Sequence, residues 1–320
     1  MSTEAARGIV DSAGFGLPRP GTGTTLGRFA ALTRLCSDDI STGRLVEAHA
    51  DADAILGEIV GGGVRPGEFW GVWAAQPPGT GVDARSVADG FELVGVKEWC
   101  SGAGACTHAL VTAATADGNR LFAVDLRHPG VSTDFSSWHA AGMRATDTGT
   151  VTFDSVPATA VGRVGAYLAR PGFWHGGMGV AACWFGGARR VARPLYRAVS
   201  RSDDPLLRMH AGAVDAQLAT GWAAIEAAAR HIDADPTAPS QREAFALRWS
   251  IEQIATAVID RVGRALGPGP LVADPDHAQA VADLTVYIRQ SHADADLAVL
   301  GSLVDENIPG PLADSSEEDS

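Results

Sequence analysis

The sequence predicts an α+β chain in three parts. These are a short N-terminal helical region (residues 1–67), a central antiparallel β-domain (68–162) and a C-terminal helical bundle (163–304), with an acidic tail at 305–320. Three observations carry this. Apolar residues recur at helical spacing from about Ala30 to Val60. Alternation with frequent turn signals fills about Phe69 to Ala160. Helical spacing then returns from about Gly176 to Val304.

In the first part, Leu45, Ala48, Ile55 and Ile59 fall on one helical face until "GGGVRPGE" breaks the chain. Upstream, "GTGTTLG" at 21–27 imitates a nucleotide-binding loop. It follows "LPRP" rather than a strand, and its spacing is GxGxxxG, so it reads as a loop with a Thr cap before a helix starting near Leu26. In the middle part, "RLFAVDL" puts Phe122, Val124 and Leu126 on one face, and "TVTFDSV" sets Val151 and Phe153 against Thr152 and Asp154. "DG" at 89–90 and 117–118 and "HPG" at 128–130 separate roughly seven short strands, a barrel or sandwich. In the last part, Leu247, Ile251, Ile254, Val258 and Val262 form a clean stripe, and "GPGP" at 267–270 ends that helix. The tail "DENIPGPLADSSEEDS" is acidic and polar and reads as disordered.

Hydrophobic residues make up 46% of the chain and charged ones 20%, and the net charge is −13. That balance argues against nucleic acid as the main partner, while leaving room for anionic small molecules at a locally basic site. Cys36, Cys100, Cys106 and Cys183 form no CxxC pair, which argues against a zinc site or disulfide framework and fits a reducing cytoplasm. "MSTEAARGIV" does not read as a signal peptide, and no apolar run is long enough to span a bilayer. A cytoplasmic protein with no metal and no membrane insertion is expected.

The stretch "GVKEWCSGAG" at 95–104 places a large flat ring, Trp99, beside Ser101, Gly102 and Ala103. Either the ring packs at the end of a strand, or something flat and polar docks against it. Other segments sharpen the choice. "GMRATDTGTVTFDSVPATA" at 142–160, "GVKEWCSGA" and "GGARRVARPLY" together resemble the acyl-CoA dehydrogenases, a flavoprotein family, over roughly residues 45–300. The N-terminal helical part is shortened relative to that family.

The resemblance implies FAD as cofactor. It implies that Trp99 covers the flavin ring, that Ser101 places a hydroxyl near it, and that Gly102 lets the backbone approach. Ala75 stands where the family has a flavin-contacting Thr, and Thr80 is a candidate for a phosphate-facing hydroxyl. Arg208, followed by Gly212, resembles an arginine that reaches the cofactor pyrophosphate of a neighbouring subunit, although Ala211 replaces the family's Phe. Gly267 and Gly269 resemble a turn near the adenosine end of the flavin, across a subunit interface. A homodimer or tetramer is implied, and a heteromer with a paralogue is a further option. Each of these three positions also reads simply, as a surface arginine and a helix stop.

The family's proton-abstracting Glu is missing. Asp283 aligns with a family Asp, and ungapped counting places Ser291 at the base position and His292 beside it, with no glutamate between Glu252 and Glu306. Read without the family, Val281, Leu284 and Ile288 continue as a predicted inward stripe through His292, Ala295 and Val299. His292 is then a candidate base or a core histidine bonded to a carbonyl. "FWHGGMG" at 173–179 offers His175 as a second base, or a domain linker with a packed Trp174. Glu47 and His49 lie on a helix that the family sets along the substrate channel.

Three functions follow from the resemblance. The first is FAD-dependent oxidation of the CH–CH bond of an acyl thioester, with an electron-transfer partner possible. The second is a flavin monooxygenase or oxidase on the same fold. The third is a non-catalytic subunit of a heteromeric dehydrogenase.

Overall fold

A computed structural model describes residues 2–13, 15–75 and 79–304. The acidic tail expected at 305–320 lies outside the described residues.

Three helices open the chain: α1 (Ser2–Val10), α2 (Thr25–Asp38) and α3 (Ile40–Val60). Asp39 separates α2 from α3, and its carboxylate accepts the Thr42 backbone N–H at 2.7 Å. The start of α2 departs from the sequence expectation. Thr24 makes no side-chain cap bond. Asp233, far along the chain, instead accepts the N–H groups of Gly23 (3.1 Å) and Thr25 (3.0 Å). A carboxylate complements the positive end of a helix better than a local hydroxyl does, so the tertiary partner wins. α3 ends where "GGG" begins, with Gly61 at φ 67.

Seven strands follow: β1 (Trp70–Trp73), β2 (Gly81–Val87), β3 (Gly90–Cys100), β4 (His108–Thr115), β5 (Gly118–Asp125), β6 (Val131–Asp134) and β7 (Gly149–Val161). Strands β2, β3, β7, β5 and β4 close into a barrel, the last gap bridged by Asp83 opposite Ala114. β6 adds to β7 as an antiparallel neighbour. Two pairings differ from the antiparallel expectation: the Asp83–Ala114 bridge joins β2 and β4 in parallel, and β1 runs parallel to β4. Parallel neighbours need a crossover between them, and the β2–β3 hairpin supplies it. Phe122, Val124, Val151 and Phe153 fill the barrel interior with Leu93, Val111 and Val156. The outer face carries Trp70, Leu110, Leu121 and Val161, which pack on Ala52, Ile55 and Leu56 of α3. β5 is therefore covered on both faces where it meets the helix.

The remaining helices are α4 (Ala166–Ala169), α5 (Gly172–Val199), α6 (Pro205–Ala234), α7 (Gln241–Leu266), α8 (Gly269–Ala273), α9 (Pro275–Tyr287) and α10 (Asp294–Ser302). Within this bundle Met178, Ala181, Trp184, Phe185, Ala188, Val191 and Leu195 of α5 are all buried, and Leu247, Ile251, Val258 and Val262 of α7 belong to the same core. "FWHGGMG" is no linker; it forms the first turns of α5, with Trp174 packed edge-on against Phe173 and Phe245.

The stripe expected to run on through His292 does not. α9 stops at Tyr287, a single 3-10 turn covers 288–290, and the chain reverses before α10. Side chains enforce the break: Ser291 Oγ accepts the Ala293 N–H (3.2 Å) and Asp296 accepts the His292 N–H (3.1 Å). Such local bonds offer the backbone an alternative to a continuous helix. His292 is left facing solvent, its side chain 79% exposed with Nδ1 3.2 Å from Asp296.

Candidate functional site

The two sequence motifs, distant along the chain, form one ledge between the barrel and the bundle. At the end of β3, Trp99 takes a left-handed backbone, φ 58, and the residue is 58% exposed. This conformation costs a residue with a Cβ about 1–2 kcal/mol. Ordinary packing at a strand end is therefore not what this ring does. The turn behind it is pinned from several sides. Gly102 N–H donates to Thr146 O (2.8 Å), Ala103 N–H to Asp147 O (3.1 Å), and the Trp73 indole to Ser101 O (3.0 Å). A side chain at Gly102 would press on Cys106 Sγ at 2.8 Å and Leu45 at 3.1 Å, so the turn seats directly on α3.

The second motif supports the first. Met143 and Asp147 are left-handed at φ 56 and 45. Ser101, Thr148 and Thr146 form a line of hydroxyls, with Oγ separations of 3.3 and 2.7 Å, ending on Met143 O at 2.6 Å. Asp283 of α9 accepts the buried Met143 N–H at 2.6 Å and the Gln279 amide at 2.7 Å. A Cβ at Gly142 would fall 2.0 Å from Ala282 O. The ledge is thus clamped to the last core helix, which over-determines its strained residues.

The other sequence candidates distribute as follows. Gly81 pairs with Val96, which brings Thr80 alongside the Trp99 end of β3. Ser291 is buried in the turn after α9. His175 is buried in α5 with Nε2 unpaired, and burial pulls its pKa below the ordinary value. Arg208 is exposed and ion-paired with Asp203. Gly267, at φ 63, and Gly269 close α7 and open α8 and meet open space. Within one chain, none of the last three has a partner on the ledge.

A cluster of buried polar side chains that sequence reasoning largely missed lies among α3, α5, α7 and α9. Arg44, Glu47 and Asp51 share one face of α3, and Arg44 is ion-paired with the buried Glu47. Trp184 of α5 meets Tyr287 of α9 edge-on at 6.3 Å. Arg248 of α7 lies over the Trp184 ring at 4.6 Å, and donates to Gly177 O (3.1 Å) and Gln290 O (2.9 Å). A Cβ at Gly176 would lie 3.0 Å from Asp51 Oδ1. Burial raises the Glu47 pKa, an effect that Arg44 beside it partly offsets. Burial also drives the Tyr287 hydroxyl well above its usual value. Arg44 Nε, Trp184 Nε1 and Tyr287 OH have no hydrogen-bond partner among the described residues. Glu47 was visible in the sequence only as part of a pair with His49 on the helix that the resemblance sets along a substrate channel. Arg44, three residues earlier, was the available signal for the rest.

Residues 75–156 match the middle domain of acyl-CoA dehydrogenases. The three-part architecture surrounding that domain also has solved counterparts. Glutaryl-CoA dehydrogenase from Mycobacterium smegmatis superposes with a TM-score of 0.80 at 16% identity, over 94% of this chain and 86% of that one. The chain has the acyl-CoA dehydrogenase fold. Nitrososynthase from Micromonospora carbonacea var. africana superposes at 0.75 with 20% identity, over 95% and 87%. FMN-bound TdsC from Paenibacillus sp. A11-2, a dibenzothiophene monooxygenase, does so at 0.75 with 20% identity, over 97% of both chains. No curated protein matches the sequence. None of the described helices is long and apolar enough to cross a membrane.

Proposed function

We propose that this chain is a flavin-dependent oxidoreductase that holds FAD at the Trp99 ledge. The carrying observation is Trp99 itself: a large ring kept in strained backbone and turned outward on a rigid support. Strain of this kind persists where structure enforces it, and it clusters at ligand clamps. The ledge fits a flat polar ring. Trp99 offers a π-face, Ser101 a hydroxyl beside it, and Gly102 close backbone approach. Thr80, beside the Trp99 end of β3, would meet the phosphate side. When bound, the flavin supplies two-electron acceptance. Arg208, Gly267 and Gly269 would complete the site of a neighbouring subunit in a homodimer or tetramer.

For the reaction we place oxidation of the CH–CH bond of an acyl thioester first, because both family motifs are kept and form one unit. That reading needs a base. Ser291 aligns with the family's base position and is buried, His292 stands next to it in solvent, and His175 is buried with Nε2 unpaired among the described residues. A second reading, flavin-dependent oxygenation, is favoured by a specific observation: no carboxylate occupies the base position, and the interior is charged rather than uniformly apolar.

Titration of the purified chain with FAD and with FMN, followed by absorbance and fluorescence quenching, tests the cofactor. Anaerobic bleaching by a panel of acyl-CoAs supports the dehydrogenase. Bound flavin that no thioester reduces, but that consumes oxygen on chemical reduction with product formed from a co-substrate, supports the oxygenase. A chain with no measurable affinity for either flavin defeats both.

A further inference from the structure

We propose that the open cleft between α5 and α6 is a second small-molecule site, one that takes a planar aromatic ligand carrying a phosphate group. It is independent of the flavin reading and shares no lining residue with the ledge. The cleft holds about 680 Å³, a volume that suits a small ligand. Along one wall run Arg189, Arg193 and Arg197 of α5. A spacing of four residues sets them on one helix face, each about 6 Å along the axis from the last. Like charges so placed repel one another. A chain of net charge −13 has acidic residues enough to relieve them. Yet the outer two guanidinia, Arg189 and Arg197, have no hydrogen-bond or ion-pair partner among the described residues, and Arg193 alone reaches a carboxylate, Asp38 at 3.3 Å.

The carboxylates around the cleft are engaged elsewhere. Asp215, on the opposite wall, accepts the Tyr196 hydroxyl at 2.7 Å. Glu226, one turn beyond Trp222, accepts the Trp222 indole N–H at 2.9 Å. Asp38, at the end of α2, takes Arg190 on its carbonyl and Arg193 on its carboxylate. What decides is therefore pairing rather than the sum of charges: two guanidinia face the space with their donors free. The same bonds fix two rings. Tyr196 and Trp222 line the cleft with their polar edges already satisfied, and Trp222 is backed by Phe185 at 5.9 Å between centroids. These rings offer apolar surface and a π-face. A carboxylate has two oxygens, enough for one guanidinium fork. A phosphate monoester brings three terminal oxygens and nearly twice the charge, enough to engage two. An aromatic body on Trp222 and Tyr196, with its phosphate toward Arg189 and Arg197, answers both halves of the lining.

The test is isothermal titration of the full chain with 1-naphthyl phosphate, 1-naphthol and inorganic phosphate. The naphthyl phosphate is expected to bind at least tenfold more tightly than either of its parts. The double variant Arg189→Gln/Arg197→Gln should weaken it at least tenfold, the usual cost of losing hydrogen bonds to a charged group. Both arginines are exposed, so the melting temperature should not move. Arg127→Gln removes an exposed cation far from the cleft lining and should leave the affinity unchanged. Trp99→Gly removes the ledge ring and should do the same, which separates this site from the flavin site. Five results each overturn the proposal: no heat with the naphthyl phosphate, inorganic phosphate or naphthol bound as tightly, a folded double variant that binds normally, an equal loss in Arg127→Gln, or a loss in Trp99→Gly instead. Sedimentation of wild type and double variant closes the test. An oligomer that the double variant loses makes the cleft a subunit contact and overturns the proposal as well.

Discussion

Asp283 is the tie between the Trp99 ledge and the bundle, and its replacement makes a sharp test. Its Oδ1 accepts both the buried Met143 N–H and the Gln279 amide, while Ser41 Oγ approaches Oδ2 at 3.4 Å. Asp283→Ala leaves the Met143 N–H buried and unpaired, which costs about 1–3 kcal/mol. Loss of the bond itself brings the expected destabilisation to about 2–3 kcal/mol. Asp283→Asn keeps an acceptor at the Oδ1 position and turns its NH2 toward Ser41, so the expected loss is under about 1 kcal/mol. Burial raises the pKa of this carboxyl, against the hydrogen bonds that lower it. A raised folded-state pKa means the stability linked to the proton is complete at acid pH and is lost as pH rises through the folded value. Asn mimics the protonated form, so Asp283→Asn should gain on the wild type from acid to neutral pH. Urea unfolding of the three proteins, followed by tryptophan fluorescence at several pH values, reads both effects. If Asn is as damaging as Ala at neutral pH, the charge rather than the acceptor holds the loop, and the reasoning fails.

Trp99 and Trp249 are both exposed, so neither truncation should carry the several kcal/mol of a buried ring. Trp99→Gly should stabilise the flavin-free chain by about 1 kcal/mol, because glycine adopts the left-handed backbone freely. It should also weaken flavin binding at least tenfold, whereas Trp249→Ala leaves flavin binding unchanged; paired flavin titrations and urea melts decide. Burial depresses the His49 pKa from 6.5 to about 4, while its Nδ1 accepts the Trp70 N–H. The associated stability is present above pH 6.5 and is lost as pH falls toward 4, a loss of about 3 kcal/mol. His49→Gln should flatten that part of the urea-midpoint curve, and an unchanged slope would reject the assignment. His292→Asn should leave any acyl-CoA-driven flavin reduction within about threefold of wild type, since the ring faces solvent; a loss of about 10²–10⁴-fold would instead make it the base.

Much of the fold was legible because its signals are periodic. The Leu247–Val262 stripe, the β5 and β7 alternation and the Gly and Pro breaks all act through nearest neighbours in sequence. The ledge was legible from motif likeness, but not its mechanism: Trp99 next to small residues gives no hint of a left-handed backbone or of Asp283 beneath it. His292 shows where periodicity misleads. A three-and-four spacing predicts an inward ring, yet Ser291 and Asp296 end the helix with bonds that spacing does not encode. The buried polar cluster was illegible for a different reason. Arg44, Arg248 and Tyr287 lie on three separate helices, and only packing reveals that their polar ends converge.

The Asp233 cap on α2 has a consequence for birth of the chain. The donors it satisfies are at Gly23 and Thr25, and the separation from Thr25 is 208 residues. At roughly 5–20 residues per second, a ribosome needs on the order of 10–40 s to supply that carboxylate after the helix has emerged. The barrel, whose strands all lie between Trp70 and Val161, can close during that interval. The start of α2 is therefore made well before its cap exists. Until α5 follows, α2 shows Phe29 and Leu32, which pack beside Gly179, to the cell, the interval in which a nascent chain is most open to chaperones and to its own copies.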